Sequence, residues 1–161
     1  MKKIIIAMLL VVFSIVLAAC GQDESASTDK KAASSEKEHA ENTQLKPEDI
    51  EISEDVKKMS YETIKGYDGV KDAYIEVDGG KILMTLQVGA SMNEETRKEM
   101  GDNFVRNLAS NAAIYNDDLD GPSKDAYGTL FEVYDLQIGV GTGSDDITQG
   151  AKVKESPKIT W

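Results

Sequence analysis

Residues 70–88 read VKDAYIEVDGGKILMTLQV. In the first half Ala73, Ile75 and Val77 alternate with Tyr74 and Glu76. In the second half Ile82, Met84, Leu86 and Val88 share one face, and Thr85 and Gln87 take the other. A period of two is the mark of a strand with one face buried. Asp78-Gly79-Gly80 lies between the halves, where a tight turn needs backbone that tolerates positive φ. The pattern predicts an antiparallel hairpin with strands at 70–77 and 81–88.

Upstream, Pro47 followed by Glu48 and Asp49 suits the first turn of a helix, since proline fits N1 and acids complement the positive end. Ile52, Val56, Met59 and Ile64 recur at near-helical spacing and Gly66 can stop the helix, which predicts helix 1 over about 48–65, with Ser53 as a possible later N-cap. Downstream, Ser91 and Glu94 have the spacing of a capping box. Met100, Phe104, Val105, Leu108, Ala109 and Ala112 then form one apolar stripe, with Arg97, Lys98, Asp102 and Arg106 largely outside it. Helix 2 is expected over about 93–113.

Residues 114–126 read as a loop rich in Asp and Asn. A long strand pattern follows over 127–140, and its phase slips: Phe131 and Val133 are odd positions, whereas Leu136, Ile138 and Val140 are even. A bulge near Tyr134 or Asp135, or burial on both faces, would reconcile the halves. A glycine-rich stretch at 139–150 and a short tail with Ile159 and Trp161 complete the chain. The order α-β-β-α-β predicts an α+β domain: a small three-stranded mixed sheet with two helices packed on one face. If the last strand runs parallel to the second, the connection through helix 2 should be right-handed.

The chain has 161 residues, of which 40% are hydrophobic, and a formal net charge of -11. That length holds one ordinary domain, and the apolar fraction is enough to bury a core. The acid excess argues against a nucleic-acid partner, which needs Lys and Arg to displace counterions. The charge is unevenly spread. Residues 1–20 hold two lysines, no acids and 17 hydrophobic side chains; residues 21–46 hold six acids, four lysines and five hydrophobics. Residues 47–161 hold 23 acids, 12 bases and nine of the ten aromatics, so the globular domain is placed there.

The leader sets the expected address. Lys2 and Lys3 form a basic start, 4–17 is an apolar run broken only by Ser14, and Ala18 and Ala19 follow. That order of charge, hydrophobe and small residues is that of a secretory signal peptide over 1–19. As a helix the run would be about 24 Å long, short of the roughly 30 Å hydrocarbon core of a bilayer. Leu17-Ala18-Ala19-Cys20 resembles the lipobox of bacterial lipoproteins, with Gly21 following. The resemblance implies cleavage before Cys20, lipidation of Cys20 by a diacylglyceryl group, and a membrane-anchored protein on the extracytoplasmic side of the cell membrane. Stable anchoring takes more than one acyl chain. The alternative is an ordinary cleaved signal with an incidental cysteine; Cys20 is, however, the only cysteine in the chain. Without a second cysteine the domain has no disulfide and rests on packing.

Residues 20–46 then read as the lipidated cysteine and a disordered polar tether, with no aromatic or β-branched aliphatic side chain to offset the entropy of ordering. As a coil it spans on the order of 28 Å. His39, the only histidine, lies within it. In its leader, tether and αβ order the chain is similar to small Gram-positive lipoproteins of the sporulation and cell-envelope kind. Residues 69–77, GVKDAYIEV, carry most of that similarity, and it assigns no functional residue.

Candidate sites are few. Asn116, Asp118 and Asp120 fall at positions 1, 3 and 5 of an EF-hand-like calcium loop with Gly121 at position 6, but position 9 is Lys124 and position 12 is Tyr127 where a bidentate Glu is needed. A solvated Asx-rich turn accounts for the same residues. Gly139-Val140-Gly141-Thr142-Gly143 is not a phosphate-binding pattern, since Asp145 and Asp146 follow it; the glycines fit a strand end that turns or twists. With one Cys and one His, both ahead of residue 47, triads and Cys/His zinc sites are excluded. No catalytic residue, resident metal or cofactor is assigned. Paired carboxylates remain open for a wall-directed hydrolase, and the tyrosines and Trp161 for a groove that takes sugars or peptides, core packing being the plainer use. The expected function is a membrane-anchored lipoprotein with a small non-catalytic binding or scaffolding domain and an envelope protein as possible partner. A cell-wall hydrolase and a small-ligand or calcium-binding lipoprotein are the alternatives.

Overall fold

The hairpin forms as its alternation requires. In the computed structural model, which describes residues 45–161, β1 (Val70–Asp78) pairs antiparallel with β2 (Lys81–Val88), with Ile75 opposite Met84 and Asp78 opposite Lys81. Gly79 turns the chain at φ 55°. Ile82, Met84, Leu86 and Val88 are buried, and Thr85 and Gln87 are exposed. Each fully buried aliphatic side chain contributes about 1.5–3 kcal/mol by leaving water. The signal peptide at 1–19, Cys20, His39 and the tether up to residue 44 lie outside the described residues. Leu45 packs against the core and Lys46 precedes a 3-10 turn at Pro47–Asp49, so the packed chain includes the last two residues assigned to the tether.

The first helix starts later than its acids suggest. Ile50 is buried in extended conformation, and α1 runs Glu54–Lys65 behind Ser53, whose hydroxyl accepts from the Val56 N–H at 3.3 Å. Ser53 is thus the cap, with Glu54 and Asp55 at the positive end of the helix. Val56, Ser60 and Ile64, four apart, form the buried side.

The second helix, α2, runs Glu94–Tyr115. Its cap is Asn93, whose side chain accepts from Thr96 N at 2.9 Å, instead of Ser91. Asn93 is the extended residue next to the first helical one, so its short side chain reaches the free N–H groups. The apolar stripe is buried from Phe104 to Ala112, with Met100 half-buried, and Arg97, placed outside it by periodicity, is buried as well. Between the helices Asn111 Nδ2 donates to Ser60 Oγ at 2.9 Å and to Asn107 Oδ1 at 2.8 Å, which satisfies the polar atoms of that contact.

The strand predicted at 127–140 is two elements. A helical turn, α3 (Leu130–Val133), precedes β3 (Asp135–Gly143), and the phase slip marks the joint between them. Phe131 is buried from the helical turn, and Leu136, Ile138 and Val140 from the strand. No bulge is needed at Tyr134 or Asp135. The sheet also has four strands, not three: β4 (Asp146–Lys152) returns antiparallel to β3, giving the order β1-β2-β3-β4 with β2 and β3 parallel. The extra strand carries no apolar alternation because its inward positions are Thr148, Gly150 and Lys152. A Cβ at Gly150 would lie 2.7 Å from Trp161 Cε3 and 2.9 Å from Ile159 Cγ2, so residues 159–161 supply the apolar surface that the strand lacks. Both helices pack on the face carrying Ile75, Met84 and Ile138, as predicted, and the class is α+β.

Both sheet edges are partly closed. On β1 the Tyr61 hydroxyl, reaching from α1, accepts from Ile75 N at 2.9 Å and donates to Ile75 O at 3.3 Å. On β4 Thr160 exchanges both backbone hydrogen bonds with Ala151, at 2.9 and 2.8 Å. Closing an edge removes a template for pairing with other chains. Tyr61→Phe is expected to destabilise the protein by about 1 kcal/mol and to speed exchange of the Ile75 amide selectively, as read by hydrogen–deuterium exchange.

Candidate functional site: the open face of the sheet

Among the described residues no layer covers the face of the sheet away from the helices. The strand registers place four rows there: Asp72-Gln87-Gly141-Ile147, Tyr74-Thr85-Gly139-Gln149, Glu76-Leu83-Gln137-Ala151 and, at one end, Asp78-Lys81-Asp135. The end row carries two acids and a lysine; in the other three only Asp72 and Glu76 are charged, both on β1. Asp72 and Glu76 already have partners. Lys65 Nζ lies 2.6 Å from Asp72 Oδ1 and holds its pKa below the usual carboxylate value. The Tyr74 hydroxyl donates to Glu76 Oε2 at 3.2 Å, which raises the tyrosine pKa. The rest of those three rows is amide, hydroxyl, glycine and aliphatic.

Ile147 folds across Gly139: a Cβ on that glycine would lie 2.5 Å from Ile147 Cδ1. This side chain and Thr85 divide the face into two shallow grooves of about 360 and 390 Å3. Tyr74 and Gln87 border the first, Leu83, Gln137 and Gln149 the second. The glycines of β3, read in sequence as a strand end that turns, have a tertiary reason. At Gly141 the backbone of Asp146 and Ile147 crosses so closely that a Cβ would meet Asp146 O at 2.1 Å.

Other concavities are occupied by the protein's own bonds. One, about 610 Å3, lies beside Arg97 and Asp146, which bind each other through two hydrogen bonds of 2.7 and 2.8 Å. Arg97 Nε also donates to Met92 O, so the side chain ties the start of α2 to the β3–β4 turn. Its guanidinium, followed by the Thr142 hydroxyl, holds Asp146 at a pKa of about 2. The folded pKa lies below the ordinary 3.8. The stabilisation is therefore complete above about pH 4 and disappears as pH falls through 2. Urea unfolding of wild type and Asp146→Asn should differ by a constant amount above pH 4, and the difference should close between pH 4 and 2.

A second concavity, about 450 Å3, includes Lys152. That ammonium is buried and donates to the carbonyls of Phe131, Val153 and Lys154; burial lowers its pKa, against the acids Glu132, Asp135 and Glu155. Its three protons have acceptors, and it serves as a fastener between β4 and α3. No sequence signal marks it, because a lysine on an inward strand position looks like a break in the pattern.

The calcium-loop residues are not gathered into a ligand set. Asn116 follows α2 and donates to Ala112 O at 2.8 Å and Glu51 O at 3.2 Å; Asp118 and Asp120 are exposed around buried Leu119. Tyr127 faces inward, its hydroxyl donates to Asp102 and its pKa is pushed up to about 12 by burial and by that bond. Arg106 bonds the same carboxylate at 2.6 Å and stacks 4.6 Å from the Tyr127 ring centre. Among the described residues no group of three or more acidic, His or Cys side chains is placed to hold a metal ion. Nor is any described helix long and apolar enough to cross a membrane.

Asp72 and Glu76 stand four residues apart on one strand, roughly 13 Å, beyond the separation that glycosidase carboxylates use, whereas Glu76 and Asp78 are same-face neighbours on β1. No protein-family model, curated protein or solved structure matches this chain.

Proposed function

We propose that this protein is a lipid-anchored lipoprotein of the extracytoplasmic face of the cell membrane, and that its folded head is a binding module, not an enzyme. The head takes its ligand on the open face of the four-stranded sheet. One observation carries the reading: among the described residues a whole sheet face has no covering layer, and its grooves are lined by exposed side chains free to meet a ligand. A sheet face that only completes a fold is covered by a second layer or made evenly polar. The anchor rests on Leu17-Ala18-Ala19-Cys20 and the lone cysteine.

Two measurements test the parts separately. Replacing Cys20 with Ser should move the protein out of the membrane fraction and abolish incorporation of labelled palmitate; retention of both would reject the anchor. A photo-crosslinking amino acid at Thr85, on the open face, should capture an envelope component in intact cells, whereas the same group at exposed Tyr115 should not. Equal or absent capture at the two positions would reject the open face as the binding surface.

A further inference from the structure

We infer that the ligand of the open face is an uncharged, hydroxyl-rich glycan chain; the inference rests on the binding-module reading and names the chemistry its surface fits. The lining groups point the same way. Gln87, Gln137 and Gln149 each offer an amide donor and an amide acceptor, and Thr85 a hydroxyl that does both. Such groups match sugar hydroxyls, which also donate and accept, and they need no charge on the ligand. Tyr74, 55% exposed, and Ile147, 37% exposed, stand beside them as apolar surfaces for the C–H faces of sugar rings.

Other ligand classes meet specific obstacles. Nucleic acid and anionic headgroups need cations, and Lys81, at one end of the face, stands between Asp78 and Asp135. A bound metal cation would need a gathered ligand set, and among the described residues no group of three or more acidic, His or Cys side chains is placed to hold one. An extended peptide adding to the sheet needs an open edge. Tyr61 occupies the middle of the β1 edge, and Thr160 pairs with Ala151 near the end of β4. A stable protein partner covers roughly 800 Å2 per side around an apolar centre. The four rows across four strands span only about 14 by 20 Å, and Thr85 and Gly139 lie at the centre of the grooved part.

The test uses the full-length lipidated chain in nanodiscs, titrated calorimetrically with two probes: the β-1,4-linked hexamer of N-acetylglucosamine and that of glucose. Saturable binding of either at micromolar to millimolar concentration is expected. Tyr74→Ala should weaken it roughly three- to tenfold, and Thr85→Lys, a charge at the centre of the face, should weaken it at least as much. Gln137→Ala provides a second exposed position, with folding of each variant checked by circular dichroism. Tyr115→Ala should bind as wild type. If neither hexamer binds at millimolar concentration, or if folded Tyr74→Ala and Thr85→Lys bind as wild type, the glycan assignment is overturned. If the hexamers fail while the Thr85 crosslinker still captures an envelope protein, the binding module stands with a different ligand; if both fail, the module falls too.

Discussion

Gly141→Ala is expected to open the β3–β4 hairpin and to destabilise the protein by more than about 3 kcal/mol, or roughly 10–15 °C in melting temperature. The added methyl group would lie 2.1 Å from Asp146 O, 2.7 Å from Ile147 Cα and 3.0 Å from Asp146 C. All three are backbone atoms, so no rotamer change relieves the contact. Relief requires β4 to move off β3, and that movement would carry away the Asp146 side chain that holds Arg97 and the Ile147 side chain that divides the open face. The loss should therefore appear as lower thermal stability together with faster amide exchange across 146–152. Gly143→Ala is the control: a Cβ there meets nothing within 4 Å, so its melting temperature should lie close to wild type. Equal melting temperatures for the two variants would show that the close crossing at Gly141 is not what the residue is for.

Gly128→Ala is the second large effect, and it acts on the segment where a calcium loop was considered. Gly128 has φ +85°, which costs an L residue about 1–2 kcal/mol, and its Cβ would lie 2.7 Å from Asp120 O and 3.0 Å from Gly121 C. The Asp120 carbonyl is the acceptor for Thr129 N, and Gly128 O accepts from Phe131 N to start α3. Strain at this point would loosen the loop, fray α3 and draw Tyr127 away from Asp102. A total loss of about 3 kcal/mol is expected. The distinguishing measurement is a spectrophotometric titration of the tyrosines: the group titrating near pH 12 in the wild type should shift toward 10, the ordinary tyrosine value. Gly121→Ala, whose Cβ would come no closer than 4.0 Å to Ala113, should leave both stability and titration unchanged. An unshifted high-pH tyrosine in Gly128→Ala would separate the loop from the Asp102–Tyr127 contact.

Residues 70–88 specified their own hairpin because alternation and a Gly-Gly turn are local properties, and the buried set Ile82, Met84, Leu86 and Val88 follows from period alone. The stripe of the second helix was legible for similar reasons, whereas the parallel pairing of β3 with β2 came only from the structure. The candidate site was legible only in part. Thr85 and Gln87 read as the outer side of a strand, but nothing in the residues says that the outer side stays uncovered. That depends on both helices packing on the same face.

Where the pattern failed, a distant partner supplied what the local sequence lacked. Lys152 is tolerated on an inward position because three carbonyls from two segments receive its protons. Gly150 leaves room for Trp161, so β4 has a core without having core residues. Arg97 enters the interior because Asp146, 49 residues away, meets both of its terminal nitrogens. Periodicity counts side chains along one element, so it cannot register a bond that closes between two.

The sequence by itself determined the α+β class, the hairpin, the polarity of its two faces, and the leader and lone cysteine on which the proposed anchor rests. Tertiary structure decided the fourth strand, the closed edges and the open face. The reason is one of range: propensity and hydrophobic period act over a few residues, whereas burial of a charge, the fit of Trp161 against Gly150 and the exposure of a sheet face are set by contacts between residues far apart in the chain.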